Sequence, residues 1–168
     1  MAYDFSKISF LVVEDNRHMT VLIVSILRAF GVTKIHKVSS AEEAWDLFGY
    51  HTMDIILLDW VLPGMSALEF TRLARTSKDS PNPFVPILIV TAHSTVDHVL
   101  AALDAGANDF LAKPLAPGVL YSRLTDIIEH PRPFIRIHDY FGPCRRRRAT
   151  ADYAGKERRA NAIPTTQI

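Results

Sequence analysis

Five polar residues each stand directly after a short apolar run, and together their types could do chemistry. Glu14 and Asp15 follow ISFLVV (8–13), Asp59 follows IILL (55–58), Thr91 follows PILIV (86–90) and Lys113 follows DFLA (109–112). Carboxylates brought together repel and raise one another's pKa. A hard divalent cation relieves that repulsion, and Mg2+ takes oxygen ligands while keeping several waters. Such a cation also binds phosphate oxygens. A lysine adds a point charge and a threonine a hydroxyl donor, both suited to a tetrahedral anion. The set is suited to transferring a phosphoryl group to a carboxylate, which forms an acyl phosphate. Asp59 is the candidate nucleophile, because it stands alone after its run whereas Glu14 and Asp15 come as a pair. A carboxylate after a strand is often only a helix cap, and Asp15 or Asn16 could be that; the weight lies in all five coming in this order.

The elements must bring these residues to one place. With IHKV (35–38), there are five strand-length apolar runs, alternating with amphipathic stretches. Runs one, three and four are apolar throughout, as strands covered on both faces are; runs two and five are mixed and fit sheet edges. Helical spacing from Met19 stops at Gly31, and Ser40/Glu43 and Ser94/Asp97 have capping-box spacing. Pro63-Gly64 precedes a third helix, Gly106 suits the C-cap of the fourth, and Pro117 can open a fifth running to about Glu129. The pattern is α/β, a doubly wound (βα)5 parallel sheet; if its strand order is 2-1-3-4-5, the three carboxylates come together at the carboxyl edge.

The 168 residues are 48% hydrophobic and 22% charged, which suits a folded core. Cys144 is the single cysteine, so an internal disulfide framework is excluded and a reducing, cytoplasmic setting is expected. No apolar run reaches the ~18 residues a membrane span needs, and MAYDFSKISF does not read as a secretion signal. The net charge of +1 hides an asymmetry: residues 1–130 hold 10 basic against 15 acidic side chains, residues 131–168 hold 9 against 3. With the prolines of HPRPF, this sets a boundary near Pro131 between a domain of residues 1–130 and a basic, non-globular extension of residues 131–168.

VVEDN, LLDWVLPGM, IVTAH and DFLAKP, in that order, resemble the four motif blocks of the receiver domain of two-component response regulators, over about residues 7–130. The resemblance implies a flavodoxin-like fold. It implies that Asp59 accepts a phosphoryl group from a histidine kinase or phosphotransfer protein, and that Mg2+ is held by Glu14, Asp15, Asp59 and the main-chain carbonyl of Val61. Thr91 and Lys113 would contact the phosphoryl group, Phe110 would be the switch aromatic beside Thr91, and the Lys113–Pro114 bond would be cis. The face of helix 4, strand 5 and helix 5 would signal to a downstream protein partner, with homodimerisation left open. Such a protein is not an enzyme beyond catalysing its own phosphoryl transfer and dephosphorylation. Val61 and His93, two residues past Asp59 and Thr91, depart from small polar choices and would hinder an attacking water. His18 and His98 are expected on solvated helix faces.

The extension holds a degenerate repeat, YFGPCRR (140–146) and YAGKERR (153–159), with Tyr140, Arg145, Arg146, Tyr153, Arg158 and Arg159 as candidate anchors. Ahead of it PFIRIHDYF reads as an extended segment with Ile135 and Ile137 on one side. Three readings stay open: a solvated basic tail, a peptide docking on a protein, or an arginine-rich contact to nucleic acid or anionic lipid. From Pro131 onward, 38 residues are too few for a winged-helix reader and carry no zinc or zipper spacing, which disfavours nucleic acid. The reading retained is a phosphorylation-dependent signalling switch; the alternative is a nucleic-acid-binding regulator using the arginine-rich tail under receiver control.

Overall fold

A computed structural model describes residues 3–92 and 95–145 and the backbone of residues 162–163. β1 (Ser9–Val13), β2 (Lys34–Val38), β3 (Ile55–Asp59), β4 (Ile87–Thr91) and β5 (Asp109–Ala112) form one parallel sheet in the order β2-β1-β3-β4-β5. The helices between and after them are α1 (Arg17–Ala29), α2 (Ala41–Tyr50), α3 (Ala67–Thr76), α4 (Val96–Ala105) and α5 (Pro117–Glu129). β1, β3 and β4 are buried along their whole length, whereas β2 and β5 are mixed, as edge strands are. Two apolar layers lie on opposite faces of the sheet. One joins Phe10, Val12, Leu57 and Val90 to Ile23, Leu27, Leu120 and Leu124 of α1 and α5. The other joins Leu11, Val13, Ile56 and Ile89 to Ala44, Phe48, Phe70 and Ala102 of α2, α3 and α4.

Local signals set the helix ends. Asn16 caps α1, its side chain accepting from His18 N and Met19 N, so Asp15 is left out of the cap. Ser40 caps α2, and Gly106 closes α4 in the left-handed conformation at φ 103°. α4 is capped by Thr95, whose hydroxyl accepts from His98 N, one residue after the Ser94 that the spacing suggested. α3 opens with a reciprocal capping box between Ser66 and Glu69.

Residues 131–145 differ from the expected non-globular extension. β6 (Phe134–Ile137) and β7 (Tyr140–Pro143) form an antiparallel hairpin, and Ala162–Ile163, the short β8, pairs with the free edge of β6. β7 packs against α3 and α4. The anchors are Phe134 and Phe141, both buried and in ring contact with Phe84 and each other, whereas Ile137 is 51% exposed. Beneath Phe134 lies the guanidinium of Arg75, fully buried, 5.1 Å from the ring centroid. It donates to the carbonyls of Gly106, Pro83 and Val85 and to Asn108 Oδ1, at 2.7–2.9 Å.

Candidate functional site

At the carboxyl edge of the sheet, β1 and β3 are neighbours, so the residues that follow them converge. Glu14 N extends the β1 ladder by donating to Val38 O at 3.1 Å, and Trp60 N does the same for β3 by donating to Val90 O at 2.8 Å. Carboxylate oxygens of Glu14, Asp15 and Asp59 lie within 4.8 Å of one another. Glu14 and Asp59 are buried and Asp15 is exposed, so the cluster has one open side.

Lys113 reaches into this cluster from the end of β5. Its Nζ lies 2.9 Å from Glu14 Oε2 and 2.9 Å from Asp59 Oδ1. The backbone is tied too, Lys113 N donating to Thr91 O at 2.7 Å, and the Lys113–Pro114 peptide is cis. Burial works against the ammonium charge, but the hydrogen bonds to Asp59 and Glu14 outweigh it and hold Lys113 above the ordinary lysine value. Glu14 is also raised, which for an acid disfavours the charge: burial is the main cause, with the nearby Asp59 charge adding to the rise, against the hydrogen bond from Lys113. One ammonium among three carboxylates leaves a net negative, oxygen-lined cleft. That donor set fits a hard divalent cation such as Mg2+, with Glu14, Asp15 and Asp59 as its side-chain ligands.

Around the cluster, Thr91 is buried at the end of β4, across the sheet from Ala112, and Phe110 is half-buried in β5. Val61 is 62% exposed in the loop after β3, two residues past Asp59. His93 lies outside the described residues. His18 is exposed, but His98 is not on a wholly solvated face: its ring meets Trp60 edge-on at 4.9 Å, and its Nδ1 lies 2.8 Å from Thr95 Oγ1. No periodicity distinguishes that contact from solvent exposure.

The anchors proposed in the extension are partly used up inside the chain. Tyr140 is half-buried and its hydroxyl donates to Pro143 O at 2.8 Å. Arg145 stacks on the Tyr140 ring at 5.3 Å and ion-pairs with Asp104 of α4. Arg146, Tyr153, Arg158 and Arg159 lie outside the described residues. Among the described residues no helix is long and apolar enough to cross a membrane.

The model of the response regulator receiver domain matches residues 10–125. A chemotaxis protein CheY homolog of Campylobacter jejuni is 32% identical over 119 residues, covering 70% of this chain and 90% of that protein. The phosphate regulon transcriptional regulatory protein PhoB of Pseudomonas aeruginosa is 30% identical over 123 residues, 73% of this chain but 52% of its own length. Among solved structures, the receiver domain of a sensor histidine kinase of Pseudomonas aeruginosa superposes with a TM-score of 0.63 at 31% identity, covering 70% of this chain and 93% of that one. That crystal structure has a magnesium ion coordinated in its active-site cleft.

Proposed function

This chain belongs to the response regulator receiver domain family, and from that premise we propose that Asp59 accepts a phosphoryl group and that the protein works as a phosphorylation-dependent switch. Phosphorylation-based signalling is general for the family, whose receivers interact with histidine kinases or phosphotransfer proteins. The observation that carries the proposal is the lysine bridge, with Lys113 Nζ 2.9 Å from both Asp59 and Glu14 inside the acidic cluster.

In the transfer, an Asp59 carboxylate oxygen attacks phosphorus. An O–P bond forms as the P–N bond to the donor imidazole breaks, and the electron pair leaves with that nitrogen. Lys113 stands where it can meet charge developing on the phosphoryl oxygens, and Thr91 lies at the adjacent strand end as a hydroxyl partner. Glu14, Asp15, Asp59 and the Val61 carbonyl would hold Mg2+, which supplies charge neutralisation between the carboxylates and the incoming phosphoryl group. The chain acts on no substrate but its own Asp59: hydrolysis of the acyl phosphate returns it to the resting state. Thr91 and Phe110, on adjacent strands, would change together on phosphorylation. The readout is the α4–β5–α5 face, where Val96, Leu100 and Val119 are exposed apolar side chains fit for a protein partner. A reducing, cytoplasmic setting belongs to the proposal and rests on the lone Cys144.

The test uses the full chain with Mg2+ and a small phosphodonor such as acetyl phosphate, read by intact mass. Wild type gains one phosphoryl group, and Asp59→Asn gains none. Incorporation that persists in Asp59→Asn would move the site elsewhere.

A further inference from the structure

A single carboxylate outside the acidic cluster holds the loop that carries the Val61 carbonyl. This loop, residues 60–66, leaves β3 at Asp59 and enters α3 at its cap. Both ends are fixed: Trp60 N donates to Val90 O at 2.8 Å, and Ser66 is locked by its capping box with Glu69. Between the ends the anchoring is thin. Val61 is 62% exposed, so its side chain packs little against the fold. Pro63 restricts only its own φ, and Gly64 sits in the left-handed region at φ 72°.

Among the described residues, the backbone of 61–65 makes one hydrogen bond to another element. Met65 N donates to Oε1 of Glu42, in the first turn of α2, at 2.7 Å. The carboxylate also packs directly on Gly64, because a Cβ built there would run into Glu42 Oε1. Loop and carboxylate therefore fit each other in two ways, by a charge-assisted hydrogen bond and by the space Gly64 leaves. An acidic residue in the first turn of a helix is ordinary on dipole grounds. Those grounds do not require it to accept from an amide 23 residues away.

We propose that Glu42 is a positioning residue for the metal site: through Met65 N it keeps the loop in the conformation that lets the Val61 carbonyl serve as a ligand beside Glu14, Asp15 and Asp59. The inference rests on the reading of that cluster as a Mg2+ site. It assigns no contact between Glu42 and the ion. The effect passes along the backbone from Met65 N to the Val61 carbonyl, so the acceptor oxygen at position 42 matters more than its charge.

The experiment is a Mg2+ titration of the full chain followed by tryptophan emission, since Trp60 directly follows Asp59, whereas the other tryptophan, Trp45, is in ring contact with Phe48 and Phe70. Glu42→Ala removes the acceptor, Glu42→Asp shortens its reach by one methylene while keeping the charge, and Glu42→Gln keeps the acceptor while removing the charge. Loss of a group that orients a ligand typically costs about tenfold or more in metal affinity, so Ala and Asp are expected to raise the Kd about tenfold and Gln to leave it within about twofold of wild type. If Glu42→Ala does not fold, the Asp and Gln pair decides alone. Equal affinity in all variants, or equal weakening by Gln and Asp, overturns the positioning role. A wild type that does not respond to Mg2+ at all overturns the metal reading first and this inference with it, whereas a responding wild type with an unaffected Asp variant overturns only the inference.

Discussion

One ammonium group between two carboxylates gives opposite signs to metal binding and phosphoryl transfer. Lys113 Nζ, 2.9 Å from Glu14 and 2.9 Å from Asp59, offsets negative charge that a cation would otherwise meet undiluted. The same charge is placed to stabilise the transferring phosphoryl group. Lys113→Met keeps most of the stem and removes the charge, so it is expected to tighten Mg2+ binding while slowing phosphorylation of Asp59. Loss of one preorganised donor costs about 100-fold in rate in comparable sites. Paired Mg2+ titrations and phosphodonor rates check this; a parallel loss of both would mean that Lys113 chiefly maintains the cleft's shape. The chemistry at this scale was largely legible beforehand, because a parallel sheet puts every residue that follows a strand on one edge. Contacts made sideways were not. Asp15 and Asn16 were equivalent as caps until Asn16 was seen to accept from His18 N and Met19 N. The edge-on meeting of Trp60 with His98 and the reach of Glu42 to Met65 depend on how loops close, which residue type and spacing do not encode.

At the scale of elements, the start of α3 fixes where the Asp59 loop ends, and its cap can be tested by pH. Ser66 Oγ accepts from Glu69 N, while Glu69 Oε2 accepts from Ser66 N at 2.8 Å. The backbone hydrogen bond from Ser66, then the one from its hydroxyl, hold Glu69 below the ordinary glutamate value. A depressed folded pKa contributes stability that is present above the unfolded value of about 4.5 and lost as pH falls through the lower folded value. Ser66→Ala removes the hydroxyl but keeps the backbone N–H, so it is expected to return Glu69 only part of the way toward its ordinary titration, seen by NMR. It should lower stability near neutral pH by about 1 kcal/mol, with the gap to wild type shrinking below that unfolded value. An unchanged Glu69 titration in the variant would remove the Ser66 hydroxyl as a cause and leave the backbone N–H alone responsible. The five alternating strands and helices were readable from periodicity, since buried strands and amphipathic helices differ in period. The hairpin was not. PFIRIHDYF alternates, but which side turns inward is decided by the partners waiting on α3 and α4. Those partners, Phe84 and the buried Arg75, selected Phe134 and Phe141 over Ile135 and Ile137.

For the molecule as a whole, these contacts make the hairpin part of the receiver's core rather than an appendage of its basic extension. Burial pushes the Arg75 guanidinium down to about 9, so it is still charged at neutral pH and relies on its four hydrogen-bond acceptors and the covering Phe134 ring. Those acceptors lie before β4 and around the turn between α4 and β5, so uncovering Arg75 is expected to loosen both segments together with α3, which carries it. The hairpin backbone also approaches that turn closely, Gly142 facing Gly106 where a side chain would collide. Arg145 pairs with Asp104 on α4 at the same end. Opening the hairpin alone would wet a buried charge without freeing enough chain to compensate, so it is expected to open only when the domain unfolds. Cys144 reports this directly, being buried at the end of β7 with its amide donating to Pro133 O at 2.8 Å. Thiol labelling of the full chain across a urea series should give a protection free energy equal to global stability, with the same urea dependence. Phe134→Ala should lower both by about 3 kcal/mol, the usual cost of truncating a buried phenylalanine. Labelling near the unfolded-thiol rate without urea, or protection indifferent to urea, would show instead that residues 131–145 peel away while the five-stranded sheet stays folded.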